Sequence, residues 1–312
     1  MPYFSVVIPL FNKEHNIANT LHSVINQSFI DYEIIIINDG STDNSEHIVS
    51  QFTDPRIKYF YQTNQGAAVA RNKGINTAQG NYIALLDADD HWFPNHLEEF
   101  KKSIDQYPDH FIFCNNYSIK VTSKNNIPTH FSYLPKGNIV IIDNYFKSSL
   151  FNSIASSTTI CIHNSVFKKG YNFDQQIASG QDTDLWIRLG LEYKFIFNKN
   201  VTAIYNRYID NSLSKTNNSD ARRKFTLKFI EAEKKDKHLK KYIDLNRFSI
   251  ALQYKIDGKT KEYKQLLSEL DQNHLNQKQK LLIRSPKFII VILKKIQELL
   301  IYGANIRLTS FK

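Results

Sequence analysis

Residues 33–43 read EIIIINDGSTD, a run of four isoleucines closed by Asn38, Asp39 and Gly40. A short β-branched stretch bounded by turn residues predicts a buried strand. On its N-terminal side, residues 4–8 form another apolar run, ended by Pro9. Ile17, Leu21, Val24 and Ile25 then recur at helical spacing. On its C-terminal side, residues 57–61 and 82–86 predict two further strands. Between them, residues 67–78 are rich in small side chains and stopped by Gly80, which predicts a helix packed close to its neighbours. Pro94 suits the first turn of a helix running to about residue 105. Strands separated by helical segments imply βαβ units. The expected fold is therefore α/β: a Rossmann-like, mostly parallel sheet flanked by helices.

Beyond residue 112 the pattern loosens. Residues 112–142 carry β-prone runs and turn residues, as added strands would, and 153–162 read as a polar-small run followed by a strand. Leu185, Trp186, Leu189 and Leu191 mark a short amphipathic helix, and after Lys215 the chain turns helical and basic. The 312 residues favour two domains, and 42% hydrophobic content with 22% charge excludes intrinsic disorder. Cys114 and Cys161 supply neither a disulfide framework nor a zinc-ligand spacing, as expected in a reducing compartment. The start of the chain shows no signal-peptide pattern, and no run of 18 apolar residues would span a bilayer.

The formal charge of +10 is unevenly placed. Residues 1–220 carry 18 Lys+Arg against 21 Asp+Glu, whereas residues 221–312 carry 22 against 9. A basic tail of this kind either meets an anionic partner or is a lysine-rich soluble helix. Nucleic-acid binding is not expected, because the part with the binding features is net negative.

Ligands on open α/β sheets bind beyond the carboxyl ends of the strands, and three strand ends here carry distinctive polar residues. Asp87 and Asp89 flank Ala88 at one of them. In extended chain they face the same side, and such close carboxylates call for a cation. Oxygen ligands alone suit Mg²⁺ or Mn²⁺, which also bind substrate phosphates, although a DADD turn by itself is a weak signal. Asp39, at the next strand end, is placed to accept a hydrogen bond from a base or sugar. Arg71 lies one turn into a helix whose N-terminal end attracts phosphate.

Taken together, these segments resemble the family 2 glycosyltransferases. The resemblance rests on VVIPLFN at 6–12, NDGSTD at 38–43, Asn64-Gln65-Gly66 with Ala70-Arg71-Asn72-Lys73-Gly74, and LLDADD at 85–90. It continues through Phe173-Asp174 and SGQDTDLWIRL at 179–189, and covers roughly residues 3–215. It implies a GT-A fold over 1–215, a basic helical extension over 216–312, and inverting transfer of one sugar from a nucleotide-diphosphate donor, UDP-linked in the expected case. Pro9 and Phe11 would line the base site, Asp39 would bond the base, and Arg71, Asp87, Ala88 and Asp89 would complete the nucleotide-sugar site. Asp89 would hold Mn²⁺ or Mg²⁺. Asp182 matches the family's general base, with Gln181 in place of the usual Glu and Thr183 in place of a frequent aromatic. A helix cap is the other reading of Asp182, and both can hold.

Tyr205 and Arg207 resemble the Tyr-x-Arg that follows in the family, with Ser212 and Ser214 downstream in a loop that would close over the diphosphate. Trp92 is unassigned. The Gln-x-x-Arg-Trp motif of processive members is absent, in keeping with single-sugar transfer. A sugar-nucleotide pyrophosphorylase would need a glycine-rich phosphate loop where PLFNKEHN stands. A dead homologue is disfavoured by Asp87, Asp89 and Asp182. The tail SPKFIIVILKKIQELLIYGANIRL at 285–308 is too short and charged to span a bilayer. It either lies on an anionic membrane, apolar side down, or packs on protein. The expected setting is cytoplasmic, peripheral on the inner face of the cell membrane, with a glycan or lipid-linked glycan acceptor made into surface polysaccharide.

Overall fold

The structure, a computed structural model, describes residues 1–123, 125–207 and 219–304. Ten strands form one sheet: β1 Phe4–Leu10, β2 Tyr32–Asp39, β3 Ile57–Gln62, β4 Tyr82–Leu85, β5 His91–Trp92, β6 Ile112–Lys120, β7 Asn126–Pro128, β8 Ile139–Ile142, β9 Ile160–His163 and β10 Phe195–Asn206. The sheet runs β3-β2-β1-β4-β9-β6-β10-β5, with β7 on β6 and β8 on β10. Its first four strands are parallel, as the βαβ reading requires. β9 then enters antiparallel between β4 and β6, and β10 pairs parallel with β6. The parallel character therefore belongs to the N-terminal half, and the looser pattern after residue 112 becomes the mixed half.

Among the described residues nine helices accompany the sheet up to the extension's first turns: α1 Ile17–Ile25, α2 Ser45–Ser50, α3 Ala67–Thr77, α4 His96–Gln106, α5 Tyr145–Ser148, α6 Asn164–Lys168, α7 Gln181–Glu192, α8 Ser219–Lys228 and α9 Ile230–Glu233. Four more follow: α10 Lys237–Asp257, α11 Thr260–Glu269, α12 Gln277–Arg284 and α13 Lys287–Ala304. Alternation along β1 divides the core into two layers. Val7 faces one apolar cluster, and Phe4, Val6, Ile8 and Leu10 face the other. The small residues of α3 do what their size predicts. A methyl at Gly74 would collide with Val7, so the helix lies close against β1.

The C-terminal helices are not a separate appendage. Phe225, Phe229, Leu239, Tyr242 and Ile243 belong to the same apolar cluster as Val7, Ile35 and Trp186. Within the extension, buried Arg247 donates to Glu233 at 2.8 Å and to Asp244 at 3.2 Å, tying α9 to α10. The helix over 94–105 begins two residues late, at His96, because residues 91–92 are used as the short strand β5 against β10. Trp92 is a core residue, its indole N–H donating to the Thr158 carbonyl at 2.7 Å.

His96 is buried at the start of α4, stacked on Trp92 at 4.2 Å, with Nδ1 2.7 Å from Thr202 Oγ1. Burial pushes its pKa down to about 3. Since an unfolded His titrates near 6.5, the neutral ring favours the fold fully above that value, and this contribution is lost as pH falls toward 3. Its share of the acid sensitivity is roughly 1.4 kcal/mol per pH unit across that window. His96→Phe should flatten the decline in urea-unfolding stability between pH 6.5 and pH 4. An unchanged slope in the variant would place the acid sensitivity elsewhere.

Candidate active site

Two loops at the carboxyl ends of β1 and β2 are laced together. Asn12 accepts from Thr42 N at 2.8 Å, Lys13 N donates to Ser45 Oγ at 2.9 Å, and Glu14 N donates to Asp43 Oδ2 at 2.9 Å. Asn12 adopts φ 49°, the left-handed conformation that Asn tolerates better than most side chains. Asn44 holds the cap position of α2, and Asp43 bridges the N–H groups of Glu14 and Ser45. Pro9 is half-buried on β1, and Phe11 is exposed beside this seam, free to meet a planar ligand.

Asp39 is buried at the end of β2 and holds the next loop. Its Oδ1 accepts from Gln62 Nε2 at 2.7 Å and Gln65 N at 2.9 Å, and its Oδ2 accepts from Gly66 N at 2.8 Å. Gly66, at φ 94°, opens α3. The carboxylate thus sets where α3 begins, and a base reaching it would find room only at Oδ2.

Arg71, four residues into α3, is buried, and its Nη2 donates to Asp87 Oδ1 at 2.6 Å. Its guanidinium carbon lies 5.3 Å above the Phe173 ring, which Asn72 pins by two hydrogen bonds to the Phe173 backbone at 2.8 and 2.9 Å. The charge of Arg71 is set against burial first, then favoured by Asp87, Asp182 and Asp89. Three carboxylates from two distant segments, the turn after β4 and the start of α7, therefore act on one cation. Nε and Nη1 of Arg71 are buried and have no hydrogen-bond partner among the described residues.

The acidic segment is a turn rather than extended strand: β4 ends at Leu85, and Asp90 N donates to Asp87 O at 3.0 Å. Asp87 faces Arg71, while Lys13 pairs with Asp89 at 2.8 Å. Burial pushes the Asp89 carboxyl up, Lys13 pulls it down and Asp87 raises it again. Ala88 points the other way, its side chain in the core and its carbonyl accepting from Thr20 Oγ1 at 3.0 Å, so it can meet a ligand only through its backbone. Asp90 is structural. Burial, then Asp89 and Asp87, push its carboxyl well up, and it accepts from Thr158 Oγ1 and from Asn206 N at 2.7 Å.

Asp182 is the second residue of α7. Gly180, at φ 87°, takes the cap position, so Asp182 is not the cap. Its Oδ1 accepts from Thr183 N at 2.7 Å, and no described residue hydrogen-bonds its Oδ2. α7 is clamped by α8: Lys228 pairs with buried Asp184 at 2.6 Å and with Asp174 at 2.8 Å. A Cβ on Gly180 would stand 3.0 Å from the Phe225 ring of α8. Tyr205 packs edge-on against Tyr117, and Arg207 N donates to Lys120 O at 3.0 Å. Ser212 and Ser214 lie outside the described residues.

Among the described residues no three His, Cys, Asp or Glu side chains form a metal cage. Mg²⁺ and Mn²⁺ need none, because one or two carboxylates plus diphosphate oxygens and water complete their shell. Asp89 with Asp87 beside it fits that donor chemistry; its carboxyl is raised first by burial and only then by the neighbouring Asp87. Lys13 and Phe173 were not singled out from sequence. Lys13 had no signal beyond its place after the first strand. Phe173 stood within a quoted motif, but its partner Arg71 is 102 positions earlier.

Asp39→Asn would set an amide donor against the Gln65 or Gly66 N–H. A cost of about 1–3 kcal/mol in urea-unfolding stability is expected, with weaker nucleotide binding as α3 loses its anchor. A variant of wild-type stability would refute this role for the carboxylate.

The sequence model of the family described as Glycosyl transferase family 2 matches residues 5–171. The chain is 30% identical over 201 residues to the putative colanic acid biosynthesis glycosyl transferase WcaA of Escherichia coli K12, covering 62% of this chain and 67% of that one. Several other curated relatives are much longer, and the chain spans only 26–30% of their length. Among solved structures it is similar to residues 1–349 of S. aureus TarS in complex with UDP-GlcNAc, with a TM-score of 0.66 at 18% identity, covering 96% of this chain and 92% of that one. It is also similar to the mannosyltransferase PcManGT of Pyrobaculum calidifontis in complex with GDP-Man and Mn²⁺, with a TM-score of 0.56 at 14% identity, covering 96% and 87%. The polar cluster at the strand ends thus sits on a GT-A fold, and the chain belongs to glycosyl transferase family 2.

Proposed function

We propose that this protein transfers one sugar, with inversion, from a nucleotide-diphosphate donor to a glycan or lipid-linked glycan in surface polysaccharide biosynthesis. Residues 1–215 form the catalytic part and 216–312 the basic extension. The observation that carries this reading is the convergence of Asp87, Asp89 and Asp182 on Arg71. It puts a base near a site rich enough in charge to hold a diphosphate. The UDP-GlcNAc bound by TarS and the colanic acid pathway named for WcaA support the donor and product classes.

In this reading Phe11 stacks on the base, Pro9 lines its pocket, and Asp39 accepts from its edge. The backbone at Ala88 and the side chains of Asp87 and Asp89 surround the ribose and diphosphate. Asp182 Oδ2 takes the proton of the acceptor hydroxyl as that oxygen attacks the anomeric carbon from the face opposite the diphosphate. The bond from that carbon to the diphosphate oxygen breaks, and its electron pair leaves with the nucleotide. Arg71 offsets the charge that builds there. Held by Asp89, Mn²⁺ or Mg²⁺ would supply Lewis-acid stabilisation of the leaving diphosphate, as the Mn²⁺ of the PcManGT complex suggests.

A panel of UDP- and GDP-sugars with Mn²⁺ or Mg²⁺, scored for nucleotide release with and without glycan acceptors, tests this. A UDP-sugar should be consumed. Asp182→Asn should lower transfer about 10²–10⁴-fold with UDP affinity kept. Asp89→Ala should lose the metal-dependent part of UDP binding. If wild type binds no nucleotide, or Asp89→Ala binds it with unchanged metal dependence, the reading is wrong.

The extension gives a reason to place the enzyme at a cytoplasmic membrane face. Among the described residues no helix is long and apolar enough to cross a membrane. α13, however, exposes Phe288, Ile292, Ile296 and Leu299 along one face, with Lys287, Lys294 and Lys295 exposed beside them. An apolar stripe flanked by lysines suits an anionic bilayer surface. The protein should float with anionic liposomes and sink with neutral ones, and removal of residues 285–312 should abolish flotation. Equal flotation of both forms would remove the membrane contact.

A further inference from the structure

A cavity of about 210 Å³ lies between the segment after α5 and helix α10. Ser149, Ser153, Arg222, Tyr242, Asn246 and Ser249 supply its polar lining. Its volume equals that of roughly seven liquid waters, about the bulk of one sugar ring. Two of these residues, Arg222 and Tyr242, feel the charge of Asp182, which Arg71 feels from the donor side. Arg222 also packs against Gly180, two residues before Asp182, so one residue of the cavity's lining lies at the start of α7, where the carboxylate stands.

Arg222 is the feature that sets the cavity's chemistry. It is carried by α8, its aliphatic stem against Gly180 at the start of α7. Burial disfavours its charge, and the more distant Asp182 offsets that only in part. No hydrogen bond or ion pair to a described residue holds its guanidinium, in contrast to Arg71, Arg188, Arg223 and Arg247. Arg222 is half-buried, and a guanidinium so placed is stabilised by a carboxylate or phosphate that meets its planar fork. Around it the wall is uncharged, with Leu150, Phe151 and Leu245 among the polar residues, and Asn246 turns its Nδ2 back to Tyr242 O at 2.9 Å, which leaves its Oδ1 for a ligand hydroxyl.

We propose that this cavity is the acceptor subsite and that Arg222 selects acceptors bearing an anionic group, a carboxylate or a phosphate, next to the hydroxyl that Asp182 deprotonates. This rests on the reading of Asp182 as the base. The C-terminal extension then completes the active site, since Arg222, Tyr242, Asn246 and Ser249 all come from it.

The test uses the full chain saturated with UDP, so that the donor site is filled. Methyl β-glucuronide, glucose 1-phosphate and neutral methyl β-glucoside are titrated by ligand-observed NMR. At least one anionic probe should bind ten-fold or more tighter than the neutral one, and the stronger of the two identifies carboxylate or phosphate. Arg222→Gln should erase that preference, Arg222→Lys should keep part of it, and both should retain wild-type UDP affinity. Ser249→Leu, on the opposite wall, should weaken the anionic probe several-fold and guards against misfolding of the Arg222 variants. Equal binding of all three probes, no binding of any, or a preference that survives Arg222→Gln would overturn the proposal. If Arg222 only kept Asp182 ionised, its loss would move the pH profile and leave probe binding unchanged. Failure of the wild type to bind UDP would instead sink the donor reading, and this inference with it.

Discussion

The pair formed by buried Arg71 and half-buried Asp87 is the interaction around which the site is arranged. A guanidinium inside the protein must be matched by negative charge, and a carboxylate so placed must be matched in turn. Arg71 comes from α3, Asp87 from the turn after β4, and Asp182 from the start of α7. Each reaches the pair only because its backbone is fixed elsewhere: α3 by Asp39 and by close packing on β1, the turn by Asp90, and α7 by the ion pairs of Lys228. Nε and Nη1 of Arg71, without partners among the described residues, leave the balance open to a further anion. A diphosphate with its cation would close it.

The second constraint is the sharing of one apolar cluster between the sheet and the C-terminal helices. Burying Phe225 and Phe229 against the core contributes about 1.5–3 kcal/mol each. It also fixes α8 across the end of α7. Under the proposed function, the basic part of the chain serves two roles at opposite ends. Near the sheet it builds a wall beside Asp182, and at α13 it presents an apolar, lysine-flanked face. The surplus positive charge therefore bears on what the enzyme meets more than on the chemistry at the strand ends.

Much of this architecture is legible in the chain itself. The apolar runs at β1 to β4 need burial on both faces, so their parallel pairing follows from composition, and Gly74 announces its close approach by lacking a side chain. Asp39, Asp87, Asp89 and Asp182 are recognisable because they stand at strand and helix ends inside ordered motifs. Less legible are the partners. The turn at 87–90 reads as strand until Asp90 is seen to be spent on Thr158 and Asn206. Ala88 reads as part of the site until its side chain is found in the core. β5 escapes notice because two residues carry no periodicity.

By itself, then, the sequence determined the α/β class, the carboxylates at the sheet's ligand edge, and the division of charge between the two parts of the chain. These depend on local pattern: hydrophobic runs, turn residues and the spacing of motifs. The tertiary structure alone decided that Lys13 meets Asp89, that Arg71 is shared between two acidic segments, and that Arg222 lines a cavity while packing at the start of α7. The physical reason is range. A charge is matched by whatever the fold brings within a few ångströms, and those groups lie tens to more than a hundred residues apart along the chain.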